Sequence, residues 1–192
     1  MTGARRLSQA IAEGDGISVL VEVVDEAGAS AAAEQGAEGL VLRRAGTGTL
    51  LRNGVHLPVL AFALAHEHEC VDALVVDVAE HGDDVGDIVA AAHARGLECV
   101  LRVRDEDELE EVLELVDPEI LLLSAEDAED GQDHLERLLE LLPDIPAGKL
   151  AIAELAGASR SDVLELERAG VDAVIVSGSD VESLVGDALP EV

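Results

Sequence analysis

Three segments of the chain repeat one pattern: Gly36-Ala-Glu-Gly-Leu-Val, Gly96-Leu-Glu-Cys-Val-Leu and Gly170-Val-Asp-Ala-Val-Ile. Cys70-Val-Asp-Ala-Leu-Val echoes it. A glycine can end a helix in the left-handed conformation, and the apolar residue after it can pack against the helix end. An acid follows, and then a buried strand. Strands are predicted at Ile17–Val24, Gly39–Arg43, Leu57–Ala63, Ala73–Val78, Leu97–Val103, Glu119–Ala125, Leu150–Glu154 and Ala173–Val176. They are short, rich in Val, Leu and Ile and nearly continuous in apolar character, as parallel strands covered on both faces are. Helical patterns lie between most of them. Asp105–Val116 sets Leu109, Val112, Leu113 and Val116 on one stripe, and Asp133–Leu142 and Ser161–Ala169 behave likewise. Asp105 and Ser179 each open a capping-box pattern. The intervals around the third strand leave room for single turns at most. Eight strands in a βα series predict an α/β fold, a compact single-domain (β/α)8 TIM barrel over residues 17–192, with 1–16 as a short helical N-terminal segment. The chain's 192 residues fall below the typical length of about 250 for that fold. An open doubly wound sheet is the competing architecture, but no GxGxxG follows the first strand.

Charge sets the partners. The chain carries 42 Asp and Glu against 12 Lys and Arg, a net charge of −30, while 48% of its residues are hydrophobic. That apolar fraction is too high for an acidic disordered chain. The acidity excludes nucleic acid and anionic membrane, which both need a basic footprint. No apolar run approaches the about 20 residues of a membrane span, and the N-terminus lacks the apolar core of a signal peptide. Cys70 and Cys99 lack metal-motif spacing and read as reduced packing residues, so a cytoplasmic protein is expected. The acid-rich, lysine-poor and aromatic-poor composition resembles that of proteins from a salt-filled cytoplasm. No cofactor motif is present, and a homo-oligomer stays open.

Two stretches carry a family resemblance. GLECVLRVRDEDELEEVLELVDPEILLLSAED (Gly96–Asp127) resembles the fifth and sixth βα units of indole-3-glycerol-phosphate synthase, the ring-closing lyase of tryptophan biosynthesis. AIAELAGASRSDVLELERAGVDAVIVSGSDV (Ala151–Val181) resembles its seventh and eighth units, including the Ala-Glu ending strand seven. Upstream, VLVEVV is similar to the first strand and LPVLAFA to the third. The resemblance implies a phosphate-binding barrel, with Glu22 and Glu154 matching the family's catalytic or substrate-binding carboxylates. It also shows departures. Phe62 stands where the family has its general-acid lysine, and Val24 where it has a second lysine. Arg102 replaces a glutamate, Ser124 an asparagine and Leu155 a serine. Lys149, the chain's only lysine, falls at the start of strand seven, opposite a barrel active site. The reaction needs a proton donor for the leaving hydroxyl and stabilisation of an iminium-like intermediate, so loss of both lysines removes the standard mechanism. Arginine stays protonated and is no substitute acid.

Strand parity sketches the barrel mouth. If Glu22 points inward, so do Leu20 and Val24, and on strand five Val100, Arg102 and Arg104 share a face. The mouth would gather Glu22, Asp77 and Glu154 against Arg43, Arg102 and Arg104, with Ser124 at the end of strand six. Two arrangements fit: an anion-tolerant pocket with carboxylate bases, or Arg–carboxylate pairs that neutralise one another and fill the barrel top. The loops after strands seven and eight, with Gly157, Ser177, Gly178 and Ser179, could hold phosphate through backbone N–H groups, or be ordinary turns. Asp180 and Glu182 favour ordinary turns. His66-Glu67-His68-Glu69-Cys70 lacks a third ligand at fixed spacing, so no metal site is expected. Ser159 and Ser161 lack triad partners. Glu126–Asp130 reads as a solvated acidic loop. Three functions follow: a non-standard barrel binding a small phosphorylated metabolite or a protein partner, an enzyme of altered lyase or isomerase chemistry on a phosphorylated or carboxylated substrate, and a structural or assembly protein.

Overall fold

The structure is a computed structural model, and it describes residues 6–14, 16–44, 56–62, 71–126, 133–178 and 181–184. Eight parallel strands close into one barrel in sequence order. They are β1 (Ser18–Glu22), β2 (Gly39–Leu42), β3 (Val59–Ala61), β4 (Ala73–Asp77), β5 (Glu98–Val103), β6 (Ile120–Ser124), β7 (Leu150–Glu154) and β8 (Ala173–Ser177). The described helices are α1 (Leu7–Ala12), α2 (Glu26–Glu34), α3 (Val78–His81), α4 (Val85–Ala94), α5 (Glu106–Leu115), α6 (His134–Leu141) and α7 (Arg160–Ala169). The connections on either side of β3 lie outside the described residues. The sheet is closed, so the open doubly wound alternative is set aside.

Strand register fixes the barrel geometry. From Glu22 it runs through Val41, Leu60 and Ala73 to Glu98. Two residues up, at Val100, it continues through Ile120 to Leu150, and two up again, at Ile152, through Ala173 to Ser18. Glu22 to Ser18 is four residues, and the two steps add four more, so the ring closes with the shear of 8 that defines this barrel type. At that shear, alternate residues point inward and pack the interior solid. Leu20, Val41, Leu60, Val75, Val100, Leu122, Ile152 and Ile175 fill it. Each such side chain contributes roughly 1.5–3 kcal/mol by burial. Leu7 and Ile11 of α1 join the same cluster. Helix α1, within the segment expected as a short N-terminal helix, therefore stops the N-terminal end of the barrel.

The glycine–apolar–acid repeat has a structural meaning in each part. Gly36, Gly96 and Gly170 hold φ of 91°, 80° and 101°, the left-handed region that glycine enters without a Cβ clash. The acids then tie strands together. Asp172 accepts from the Ala151 N–H at 2.7 Å, and Asp72 accepts from the Val59 N–H at 2.9 Å. Each carboxylate satisfies a donor at the start of a neighbouring strand, where the sheet ladder supplies no acceptor.

Several sequence expectations shift at element ends. Six strands, β1 to β6, are shorter than predicted, β7 has the predicted bounds and β8 runs one residue longer, to Ser177. Val78 begins α3 because Asp77 caps it, accepting from the Glu80 N–H. Helix α7 starts before Ser161: Ser159 is its N-cap, in a capping box with Asp162. Asp105 does cap α5, but Glu108 turns its carboxylate to the Arg104 N–H rather than closing a box on Asp105. The box expected at Ser179 falls outside the described residues.

Candidate functional site at the barrel mouth

The C-terminal strand ends place eight side chains above the apolar interior. Glu22, Asp77, Arg102, Ser124, Glu154 and Ser177 each lie two residues beyond an inward-facing core residue on the same strand, and Arg43 and Phe62 do the same just past β2 and β3. The structure brings the predicted residues Glu22, Arg43, Asp77, Arg102, Ser124, Glu154 and Ser177 into one connected network.

Arg102 is its centre. Its side chain is 8% exposed, and it donates to Asp77 Oδ2 at 3.0 Å, Ser124 Oγ at 2.9 Å and Glu154 Oε2 at 2.9 Å, and also to Glu126. Arg43 donates from Nε to Glu22 Oε2 at 3.0 Å and from a terminal nitrogen to Glu154. Glu154 thus bridges both guanidinium groups. Arg104 donates to Asp77 Oδ1 at 2.9 Å, and Ser177 Oγ donates to Glu22 Oε2 at 2.8 Å. Phe62 lies beneath the cations. The Arg43 guanidinium carbon is 4.3 Å from its ring centroid and that of Arg102 is 5.9 Å away, within cation–π range. Phe62 therefore supplies a π face beside the two guanidinium groups.

Electrostatics follow from the geometry. Burial alone would raise Asp77, but hydrogen bonds and charge from Arg104 and Arg102 hold its carboxyl below the ordinary carboxylate range. Burial likewise opposes ionisation of Glu154, and the charges of Arg102 and Arg43 overcome it, so its carboxyl is lowered too. Burial works against the Arg102 cation, yet Glu126, Glu154 and Asp77 together raise its pKa further. Asp77 and Glu154 are therefore ionised and poorly basic at neutral pH, and the arginines cannot give up a proton. The set stabilises itself more readily than it moves protons.

Other predicted residues stand apart from this network. Gly157 lies in the turn after β7, where Ala158 N–H donates to Leu155 O at 3.2 Å. Gly178, with φ of 140°, follows β8, and Ser177 N–H donates to Ala156 O at 3.3 Å. Ser179 and Asp180 lie outside the described residues, as do the histidines of His66–Cys70 and Asp127–Asp130. Val24, expected to point inward with Glu22, lies two residues past the end of β1 and is 69% exposed, because the strand parity ends with the strand. Lys149 sits at the opposite end of the barrel, donating to Asp117 and to Pro118 O. Two residues of the network were not anticipated from sequence. Glu126, read as solvated loop, reaches back to Arg102, and its N–H donates to Ser124 Oγ at 3.3 Å. Glu108 bonds both the backbone and the side chain of Arg104. Their signal is only proximity to a strand end: two residues after Ser124 and four after Arg104.

These features define a (β/α)8 barrel whose mouth holds a ring of paired charges. No family model matches the chain. It is similar to curated indole-3-glycerol phosphate synthases. That of Geobacillus sp. (strain WCH70) is 29% identical over 106 residues, 53% of this chain and 41% of that protein. That of Halobacterium salinarum (strain ATCC 700922 / JCM 11081 / NRC-1) is 28% identical over 142 residues, 71% of this chain and 56% of that protein. The chain spans about half the length of the curated relatives it matches. In three dimensions it superposes on the N-acetylmannosamine-6-phosphate 2-epimerase of Clostridium perfringens with a TM-score of 0.64. That match covers 84% of this chain and 86% of the epimerase at 15% identity, a likeness of fold alone. The chain is an indole-3-glycerol phosphate synthase-like (β/α)8 barrel, divergent in sequence from the enzymes it resembles.

Proposed function

We propose that this barrel does not carry out the indole-forming ring closure named in its relatives, and that its role is to bind rather than to transform. The observation that carries this reading is the saturation of Arg102 by Asp77, Ser124, Glu126 and Glu154. A catalytic guanidinium must be able to meet developing negative charge, and this one is engaged on every side. Phe62 in the general-acid position and the lowered carboxyls of Asp77 and Glu154 support the same conclusion. They also speak against an altered chemistry that would use those carboxylates as bases near neutral pH.

The ligand compatible with this mouth is a small phosphorylated metabolite at the rim beside β7 and β8. Gly157 and Gly178 offer backbone there with no side chain in the way: a Cβ built at either glycine meets nothing within 4 Å. Backbone N–H groups can hold phosphate where the arginines below are already paired. Calorimetry at high salt with small sugar phosphates tests it. Binding is expected, with Gly178→Asp weakening it by about tenfold or more through charge repulsion. Absence of binding, or binding indifferent to Gly178→Asp, refutes the phosphate reading and leaves a protein partner as the remaining binding role.

A further inference from the structure

At the N-terminal end of the barrel, away from the mouth, lies a second concavity. A cavity of about 540 Å³ opens between α4 and the N-terminal ends of β5 and β6. Its size falls within the range of small-molecule sites, about 300–1,000 Å³. Val89, Leu97, Cys99 and Leu101 give it apolar walls. The Cys99 thiol is pushed up to about 11 by burial, so it is a neutral wall group and not a nucleophile.

One arginine and three carboxylates border this cavity, Arg6 with Glu98, Asp117 and Glu119. Arg6, just before α1, and Glu98, the first residue of β5, both line it. They are close along the fold, since Ser8, two residues beyond Arg6, donates its N–H and hydroxyl to the Glu98 carboxylate. Yet among the described residues neither charge has an ion-pair partner. Glu98 is only 7% exposed, and its two Ser8 hydrogen bonds offset part of the cost of burying its charge and leave room for a cation. The surroundings are acidic, since Asp117 and Glu119 line the same cavity.

Gly86 adds an independent sign. It lies in α4 and lines the cavity, and a Cβ built there meets nothing within 4 Å. Neither a positive φ nor a close neighbour calls for glycine, which a helix otherwise disfavours. Its absent side chain leaves the cavity open.

From this arrangement we infer that the cavity binds a small zwitterion, an ammonium and a carboxylate carried on an apolar body, as in an apolar α-amino acid. Its carboxylate meets Arg6, its ammonium turns toward Glu98, and its apolar part fills the space between Val89 and Leu101.

Calorimetry on the full chain at high salt is the test, with leucine and phenylalanine as zwitterions. Isoamylamine serves as the amine alone and isovalerate as the carboxylate alone. At least one zwitterion is expected to bind with a Kd of about 1 mM or tighter. The single-charge probes should bind about tenfold or more weakly. Gly86→Leu, which fills the cavity, should abolish binding. Arg6→Gln, at an exposed position, should weaken the zwitterion about tenfold while leaving the amine unchanged, and it keeps the test valid if Gly86→Leu does not fold. Neither zwitterion binding at about 10 mM overturns the inference. So does equal binding of the amine alone, or binding untouched by either substitution. The site is at the far end of the barrel from the phosphate rim, so the two proposals stand or fall separately.

Discussion

At the scale of single residues, Arg102 decides how the mouth behaves. Two of its partners, Asp77 and Glu154, are about one-tenth exposed, so removing the cation leaves two buried carboxylates with fewer positive neighbours. Arg102→Met should therefore destabilise the protein by about 3–5 kcal/mol at neutral pH, measured by denaturant unfolding. The same pairs set a pH signature. Asp77 and Glu154 have folded pKa values below their ordinary 3.8 and 4.5, so their contribution is complete above those values. It is lost as pH falls through the lower folded values. The penalty of Arg102→Met should shrink as pH is lowered below about 4. A penalty unchanged at low pH would mean that the substitution acts through packing rather than charge.

At the scale of elements, the strands could be read from sequence because parallel strands buried on both faces are apolar without interruption, as in Ile120, Leu121, Leu122 and Leu123 of β6. The helix stops could be read because Gly36, Gly96 and Gly170 have the only backbone suited to the left-handed cap at those points. Gly170→Ala should accordingly cost about 1 kcal/mol, visible as a lower unfolding midpoint, since its φ of 101° strains any residue with a Cβ. Element ends were less legible. Val78 looks like strand, but the Asp77 side chain captures the next turn as a helix cap. The mouth residues themselves were legible through strand parity, which reaches only as far as the strand does: Glu22 obeys it and Val24 does not. Glu126 could not be assigned to Arg102 from its neighbours in sequence, because that contact exists only once β5 and β6 pair in register.

At the scale of the whole molecule, a net charge of −30 opposes compaction. The mouth does not relieve it, since its arginines are spent on local carboxylates. Salt should do so instead: raising ionic strength from about 0.1 M, where the Debye length is about 10 Å, to about 1 M, where it is about 3 Å, should raise the thermal unfolding midpoint. A midpoint that falls with salt would show that the ion pairs at the mouth outweigh the surface repulsion. The sole lysine, Lys149, lies at the end of the barrel opposite the mouth, which fits the proposal that the mouth does not carry out ring closure. The most direct measurement is therefore an assay of purified protein at high salt for formation of indole-3-glycerol phosphate. No formation above the uncatalysed background is expected. Turnover in the ordinary enzymatic range, about 1 per second or faster, would contradict it.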